Sequence, residues 1–119
     1  MVVRFLFFLL FSAGVFAQEC DITIHNALDY KGEEVTVCGV ISQVSTPLNN
    51  SGNPTYFNFG GYYPNHKFTL VLWESNKHRF RKDLDYYNGK KVSITGVIQE
   101  YRGKGQIVLV FIEQIEVIE

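Results

Sequence analysis

The side chains in this 119-residue chain best placed to do chemistry are aromatic, amide and basic. Tyr56 and Asn58 alternate with Phe57 and Phe59 in the run T-Y-F-N-F. A strand there turns the tyrosine and the amide to one face and the two phenylalanines to the other. A second alternating run at residues 68–73 puts Phe68, Leu70 and Leu72 on one face and Thr69, Val71 and Trp73 on the other. The turn between them is rich in Gly, Asn and Pro and carries Tyr62, Tyr63 and Lys67. One face of this pair can fill a small core, while the other offers rings, amides and hydroxyls to a flat ligand such as a nucleobase. A base stacked on Tyr56 would be held by ~1–3 kcal/mol; the plainer use of Tyr56 is as a cross-strand aromatic. Tyr62 and Tyr63 either extend the platform or cover the rim of the fold, and covering the rim is the simpler expectation. Trp73, at a strand end, is expected to pack under the segment that follows. In Y-R-G-K-G, Tyr101 precedes Arg102 and Lys104, which flank a glycine. The two cations suit phosphate contacts, or equally a solvated hairpin tip. Gly103 and Gly105 are turn residues, since a phosphate-cradling loop needs a helix N-terminus after it.

Catalytic and metal chemistry are not indicated. His25, His66 and His78 are far apart and bring no ligand spacing. No Ser-His-Asp or Cys-His grouping stands out. A secreted nuclease on a small barrel would need clustered carboxylates for calcium and arginines on neighbouring strand ends, whereas Glu74 and Glu100 are isolated. The expectation is a protein that binds rather than catalyses, with no metal and no cofactor.

Eleven Lys and Arg stand against twelve Asp and Glu, for a net charge of −1. That is not the strongly basic balance of a tight nucleic-acid binder. The distribution is uneven. Residues 77–104 hold eight basic side chains against Asp83, Asp85 and Glu100. A local basic surface and a solvated helix face both account for this.

The N-terminus reads as a secretory signal peptide over residues 1–17. Arg4 precedes an apolar run at 5–11 and small residues at 12–17, with Val15 and Ala17 at positions −3 and −1 before Gln18. The apolar stretch is shorter than the ~20 residues a spanning helix needs, and no other segment suits a membrane. Cleavage would remove Arg4, leaving ten basic residues against twelve acidic, net −2. The chain is therefore expected to be exported, periplasmic or secreted, and monomeric. Cys20 and Cys38 meet an oxidising compartment under this reading. A bridge would close a loop of about 18 residues and add ~3 kcal/mol in the chain-entropy view. A buried free Cys38 beside an inconsequential Cys20 is the alternative.

The elements that must position these side chains follow from periodicity. Residues 21–30 predict a short helix capped by Asp21 and ended by Lys31-Gly32. Residues 34–46 predict a strand with Val35, Val37, Gly39 and Ile41 on one face, bent or bulged at Gly39. A loop at 47–53 leads to strands at 55–59 and 68–73. Residues 74–87, with Phe80, Leu84 and Tyr87 at helical spacing, predict a short helix. Asn88-Gly89 turns into a strand at 91–101 with Val92, Ile94, Gly96 and Ile98 inward. A turn at 102–105 precedes a last strand at 106–112, with 115–118 as its prolongation. Residues 18–33 are expected as an N-terminal extension and 34–119 as the domain. Three strands, a helix and two strands, with glycines where strands must curl, predict an all-β fold of small α content: a five-stranded Greek-key OB barrel with a helix between strands three and four and a short N-terminal helix. Another small β-barrel is also compatible with the pattern.

Three stretches carry a resemblance. A-x-x-Y-x-G-x-x-V-T-V-x-G-V-I from Ala27, P-T-Y-F-N-F-G-G-Y-Y-P-N-x-x-F-T-L-V-L-W from Pro54 and G-K-K-V-S-I-T-G-V-I-x-x-Y-R-G-K-G-Q-I from Gly89 resemble the bacterial OB-fold nucleic-acid-binding family, which is related to the anticodon-binding domains of some aminoacyl-tRNA synthetases. The resemblance implies a stacking role for Tyr56 and a hydrogen-bonding role for Asn58. Thr69 stands where the family often has Gln, so little sequence-specific readout is implied. The expected partner is single-stranded DNA or RNA, with Tyr56, Asn58, Tyr62, Tyr63, Lys67, Thr69, Tyr101, Arg102 and Lys104 as contacts. The alternative is an oligosaccharide or a protein partner in the same groove.

Overall fold

The computed structural model describes residues 20–118; the expected signal peptide lies outside them. Eight strands form one connected sheet: β1 (Ile22–Thr23), β2 (Glu34–Ser45), β3 (Thr55–Phe59), β4 (Phe68–Leu72), β5 (Lys91–Val97), β6 (Gln99–Tyr101), β7 (Lys104–Val108) and β8 (Ile115–Val117). The hydrogen-bonded order is β6-β7-β4-β3-β2-β5-β8, with β1 beside β2. The long β2 pairs with β5 over residues 34–40 and with β3 over 41–45, so it belongs to both halves of a curled sheet. β4 and β7 run parallel, which gives the Greek-key connectivity expected. The inward residues Val37, Ile41, Phe57, Phe59, Phe68, Leu70, Leu72, Val92, Ile94 and Ile107 are fully buried. Each adds about 1.5–3 kcal/mol by leaving water.

The two ends of the sheet meet through the chain itself. β5 and β6 are separated by Ile98 alone, whose N–H donates to the Glu33 carbonyl (3.0 Å) and whose carbonyl accepts from Gly32 N–H (2.8 Å). The strand expected over 91–101 is thus broken at Ile98. Above the break, the Gln114 side chain spans the gap. Its Nε2 donates to the carbonyls of Thr95 on β5 and Val108 on β7 (both 3.2 Å), while its Oε1 accepts from Val110 N–H (2.6 Å) and Phe111 N–H (2.9 Å).

Several local expectations are corrected. The bulge in β2 is at Ser42, not Gly39: the register with β3 shifts between Ile41 and Gln43. The inward set therefore passes from Val35, Val37 and Ile41 to Val44, which faces Phe57. Gly39 stays in register opposite Val92, and its role is clearance. A Cβ there would stand 2.9 Å from Ile24 Cγ2 and 3.0 Å from Phe59 Cδ2.

Residues 21–30 begin as β1, which pairs parallel with Val37 and Cys38, and continue as a 3-10 helix, Ile24–Tyr30. Thr23 caps it, accepting from His25 N–H (3.3 Å), while Asp21 instead accepts from Thr36 N–H (2.9 Å). β-branched Ile22 and Thr23 fit a sheet rung better than a helix. Ile22 and Ala27 join the core.

The helix expected over 74–87 is two 3-10 turns, Glu74–Arg79 and Leu84–Tyr87, parted at Phe80, which is extended. Few apolar contacts support this segment, and a short helix depends on packing to offset its nucleation cost. Phe80 and Tyr87 are nonetheless buried, with Tyr87 edge-on to Phe57 at 5.7 Å. Trp73 packs against Gly52 in the loop over 46–54. Residues 115–118 do not prolong the last strand: β8 turns back and pairs with β5. Cys20 and Cys38 form a disulfide with Cα atoms 5.6 Å apart.

Candidate functional site

The registers of β2, β3, β4, β7 and β6 lay two rows of side chains across the outer face of the sheet. One row is Ser45, Tyr56, Val71 and Val108. The other is polar throughout: Gln43, Asn58, Thr69, Gln106 and Gln99. Alternation obliges each of these residues to face away from the core, because its neighbours Phe57, Leu70 and Ile107 fill it.

The polar row is bonded in two groups. Thr69 Oγ1 donates to Asn58 Oδ1 (2.8 Å), and Asn58 Nδ2 donates to Gln43 Oε1 (2.8 Å). Gln43 Oε1 also accepts from Tyr63 N–H (2.9 Å), which ties the β3–β4 turn to the face. Further along, Gln106 Nε2 donates to Gln99 Oε1 (3.0 Å). Asn58 and Thr69 are 3% and 7% exposed. They therefore act as struts that aim Gln43. The Gln43 Nε2 donor has no partner among the described residues and is offered outward. Gln43, Gln99 and Gln106 were not singled out from sequence. Gln106 was legible from alternation in its strand, whereas Gln43 reaches this face only because of the Ser42 bulge.

One end of the face is aromatic and basic. Tyr62 and Tyr63 are 65% and 68% exposed. The β6–β7 connection is a two-residue turn in which Arg102 (φ 53°) and Gly103 (φ 80°) are both left-handed, as a type I′ hairpin requires. The Arg102 guanidinium lies 5.2 Å from the centre of the exposed Tyr101 ring, and Tyr101 faces Lys104 across the hairpin. His66 is buried beside them, its ring 5.8 Å from that of Tyr63 and its Nδ1 without a hydrogen-bond partner. Burial pushes this imidazole below its ordinary value of 6.5, and the Lys104 charge pushes it the same way.

The structure brings Tyr56, Asn58, Thr69, Tyr63, Tyr101, Arg102 and Lys104 onto or around one face. Lys67 lies on the flank of the β6–β7 turn. It lines a hollow of about 200 Å³ with Ile24, His25, Leu28, Gly103 and Gly105. A hollow of about 510 Å³ lies at the Gln114 seam and is lined by Gln99, Val108, Phe111, Glu34 and Glu113. Its two carboxylates make that flank unfavourable to a phosphate.

Among the described residues no three His, Cys, Asp or Glu gather where a metal could sit. No helix of the described residues is long and apolar enough to cross a membrane.

No protein-family model matches the sequence, and no curated protein matches it. Solved structures do match in shape. An OBody bound to hen egg-white lysozyme superposes with a TM-score of 0.61 at 15% identity, over 89% of this chain and 98% of its own. An OB domain from Methanosarcina mazei, solved by NMR, gives 0.57 at 14% identity, over 86% and 87%. A putative aspartyl-tRNA synthetase from Leishmania major Friedlin gives 0.53 at 5% identity, over 90% of this chain and 22% of its own. The fold is an OB fold; likeness at these identities speaks for the fold alone.

Proposed function

We propose that this OB-fold protein binds single-stranded nucleic acid across the outer face of β3, β4 and β7. The observation that carries the reading is Tyr56, half-buried in the row next to a polar row of amides and a hydroxyl that ends beside an exposed aromatic and basic turn. Tyr56 supplies a stacking surface, Gln43 and Gln106 supply amide groups to base edges or sugars, and Arg102 and Lys104 supply charge for phosphates. Because Asn58 and Thr69 are committed to each other and to Gln43, readout of base identity is weak. The protein acts as a binder without cofactor or metal, and as a monomer. Export is supported by the leader-like N-terminus and by the Cys20–Cys38 bridge, which persists in an oxidising compartment.

The test is fluorescence anisotropy with a labelled mixed-sequence single-stranded DNA at low and moderate salt. Affinity should fall steeply with salt, and Tyr56→Ala should weaken binding by roughly 5- to 150-fold, the equivalent of ~1–3 kcal/mol of stacking. Absence of binding at low salt would rule the reading out.

A second reading, an extended protein or oligosaccharide partner on the same face, is favoured by the acidic hollow at Glu34 and Glu113. OB scaffolds of this shape bound to lysozyme are compatible with it. Binding of an oligosaccharide would scarcely respond to salt.

A further inference from the structure

The charge of this protein is polarised in a way that the Arg102–Lys104 turn does not account for. Within residues 20–118, the short stretch 77–91 holds six Lys and Arg against Asp83 and Asp85. Everything else in that span holds four, Lys31, Lys67, Arg102 and Lys104, against eight carboxylates. An anionic chain approaching the molecule is drawn to the connector between β4 and β5 and repelled from most other sides.

The connector is also organised locally. The Arg81 guanidinium sits 3.7 Å from the centre of the Tyr86 ring and the Lys90 ammonium 4.5 Å from it. Arg81 is steadied by Asp83 (2.8 Å), and Lys90 Nζ donates to the Tyr86 carbonyl (3.1 Å). Two cations are thus pinned to one partly exposed ring, which lowers the ordering cost of engaging a phosphate. Lys82 and Lys91 beside them are exposed, and neither has an acidic partner among the described residues.

There is a physical route from here to the face already described. The Arg79 guanidinium lies 5.1 Å from the centre of the Phe111 ring, itself 54% exposed. Phe111 follows β7, where Leu109 N–H bonds to the Val71 carbonyl (2.8 Å) on the strand that faces Tyr56. Cations alternating with exposed rings suit the alternation of phosphates and bases along a single strand.

We infer that the connector, with Arg81 and Lys90 set on Tyr86 and Lys82 and Lys91 alongside, holds the phosphate backbone of the same strand that stacks on Tyr56. This rests on the nucleic-acid reading and moves most of its electrostatic contact away from the β6–β7 turn.

The test measures the salt dependence of binding to a 16-nucleotide mixed-sequence DNA for four proteins. Lys82→Gln/Lys90→Gln/Lys91→Gln should lower the slope of log K against log salt by about 2, from ~0.7 per lost phosphate contact. Lys82→Gln/Lys91→Gln leaves Tyr86 and its cations intact, guards against misfolding, and should lower the slope by about 1.4. Tyr56→Ala should weaken binding with the slope unchanged. Wild-type slope in both connector variants overturns this inference and leaves the face reading standing. No DNA binding by the wild type at low salt overturns both. Binding to phosphatidylserine vesicles without binding to DNA assigns the patch to lipid and overturns the inference as well.

Discussion

Arg102 is a residue placed where its backbone is uncomfortable. The type I′ turn demands a left-handed conformation, which a residue with a Cβ adopts at a cost of about 1 kcal/mol. Arg102→Gly should therefore raise stability by about 0.5–1 kcal/mol in urea titration while weakening DNA binding. A variant that binds as well as wild type would assign Arg102 to the hairpin alone. His66 is legible from sequence only as a lone histidine; its burial and its unpartnered Nδ1 are products of the β3–β4 turn folding over it. Its imidazole is held below the ordinary 6.5 by burial and by Lys104. The folded state thus prefers the neutral ring, and below pH 6.5 the unfolded state binds more protons. Stability from this group is complete above the unfolded value and falls as pH drops from there toward the folded value. Urea midpoints between pH 7.5 and 5 should decline in the wild type and decline less in His66→Leu. Equal slopes would show that other groups carry the dependence. Tyr56 and Asn58 illustrate two outcomes of the same alternation. Both face outward as their parity requires, but Asn58 is consumed by Gln43 and Thr69, a fact that no spacing could disclose.

At the scale of elements, strand alternation read well in the strands that have a packed inner side, such as β3, β4 and β5. Residues 55–59 match β3, and Val92, Ile94 and Ile98 are buried as their spacing implied. The failures share a cause: local pattern does not report partners. The 74–87 stretch has helical spacing yet forms two separate turns, since Phe80 and Tyr87 are placed by the core they enter and not by a continuous helix. The Ser42 bulge leaves no mark in composition, although it decides that Gln43 joins the binding face. Gln114 is the clearest case of a residue silent in sequence. Its amide substitutes for missing rungs between β5 and β7 and serves four backbone groups. Gln114→Leu should leave those groups unpaired and cost about 2 kcal/mol, given that buried unpaired groups cost ~1–3 kcal/mol each and these are only partly buried. A urea midpoint unchanged from wild type would show the seam to be held without it.

For the molecule as a whole, the disulfide and β1 act together. The parallel rung of Ile22 with Val37 and Thr23 with Cys38 brings the start of the domain against β2, where Cys20 meets Cys38. Cys20→Ser/Cys38→Ser should lower unfolding free energy by about 3 kcal/mol, as closing a loop of this length predicts. An unaltered denaturation curve under reducing conditions would contradict that. The central strands, most of their inward residues and the outward parity of Tyr56 were written in the chain. They depend on side-chain polarity alternating along a backbone of period two, which needs no knowledge of neighbours. The clustering of charge at 77–104 was equally plain as composition. Four things lay beyond the linear pattern: which polar atoms remain free, where the register slips, how the barrel seam is stitched, and that Arg81 and Lys90 share one ring. Each depends on contacts between residues remote in sequence or on their detailed geometry, and those follow from packing, not periodicity.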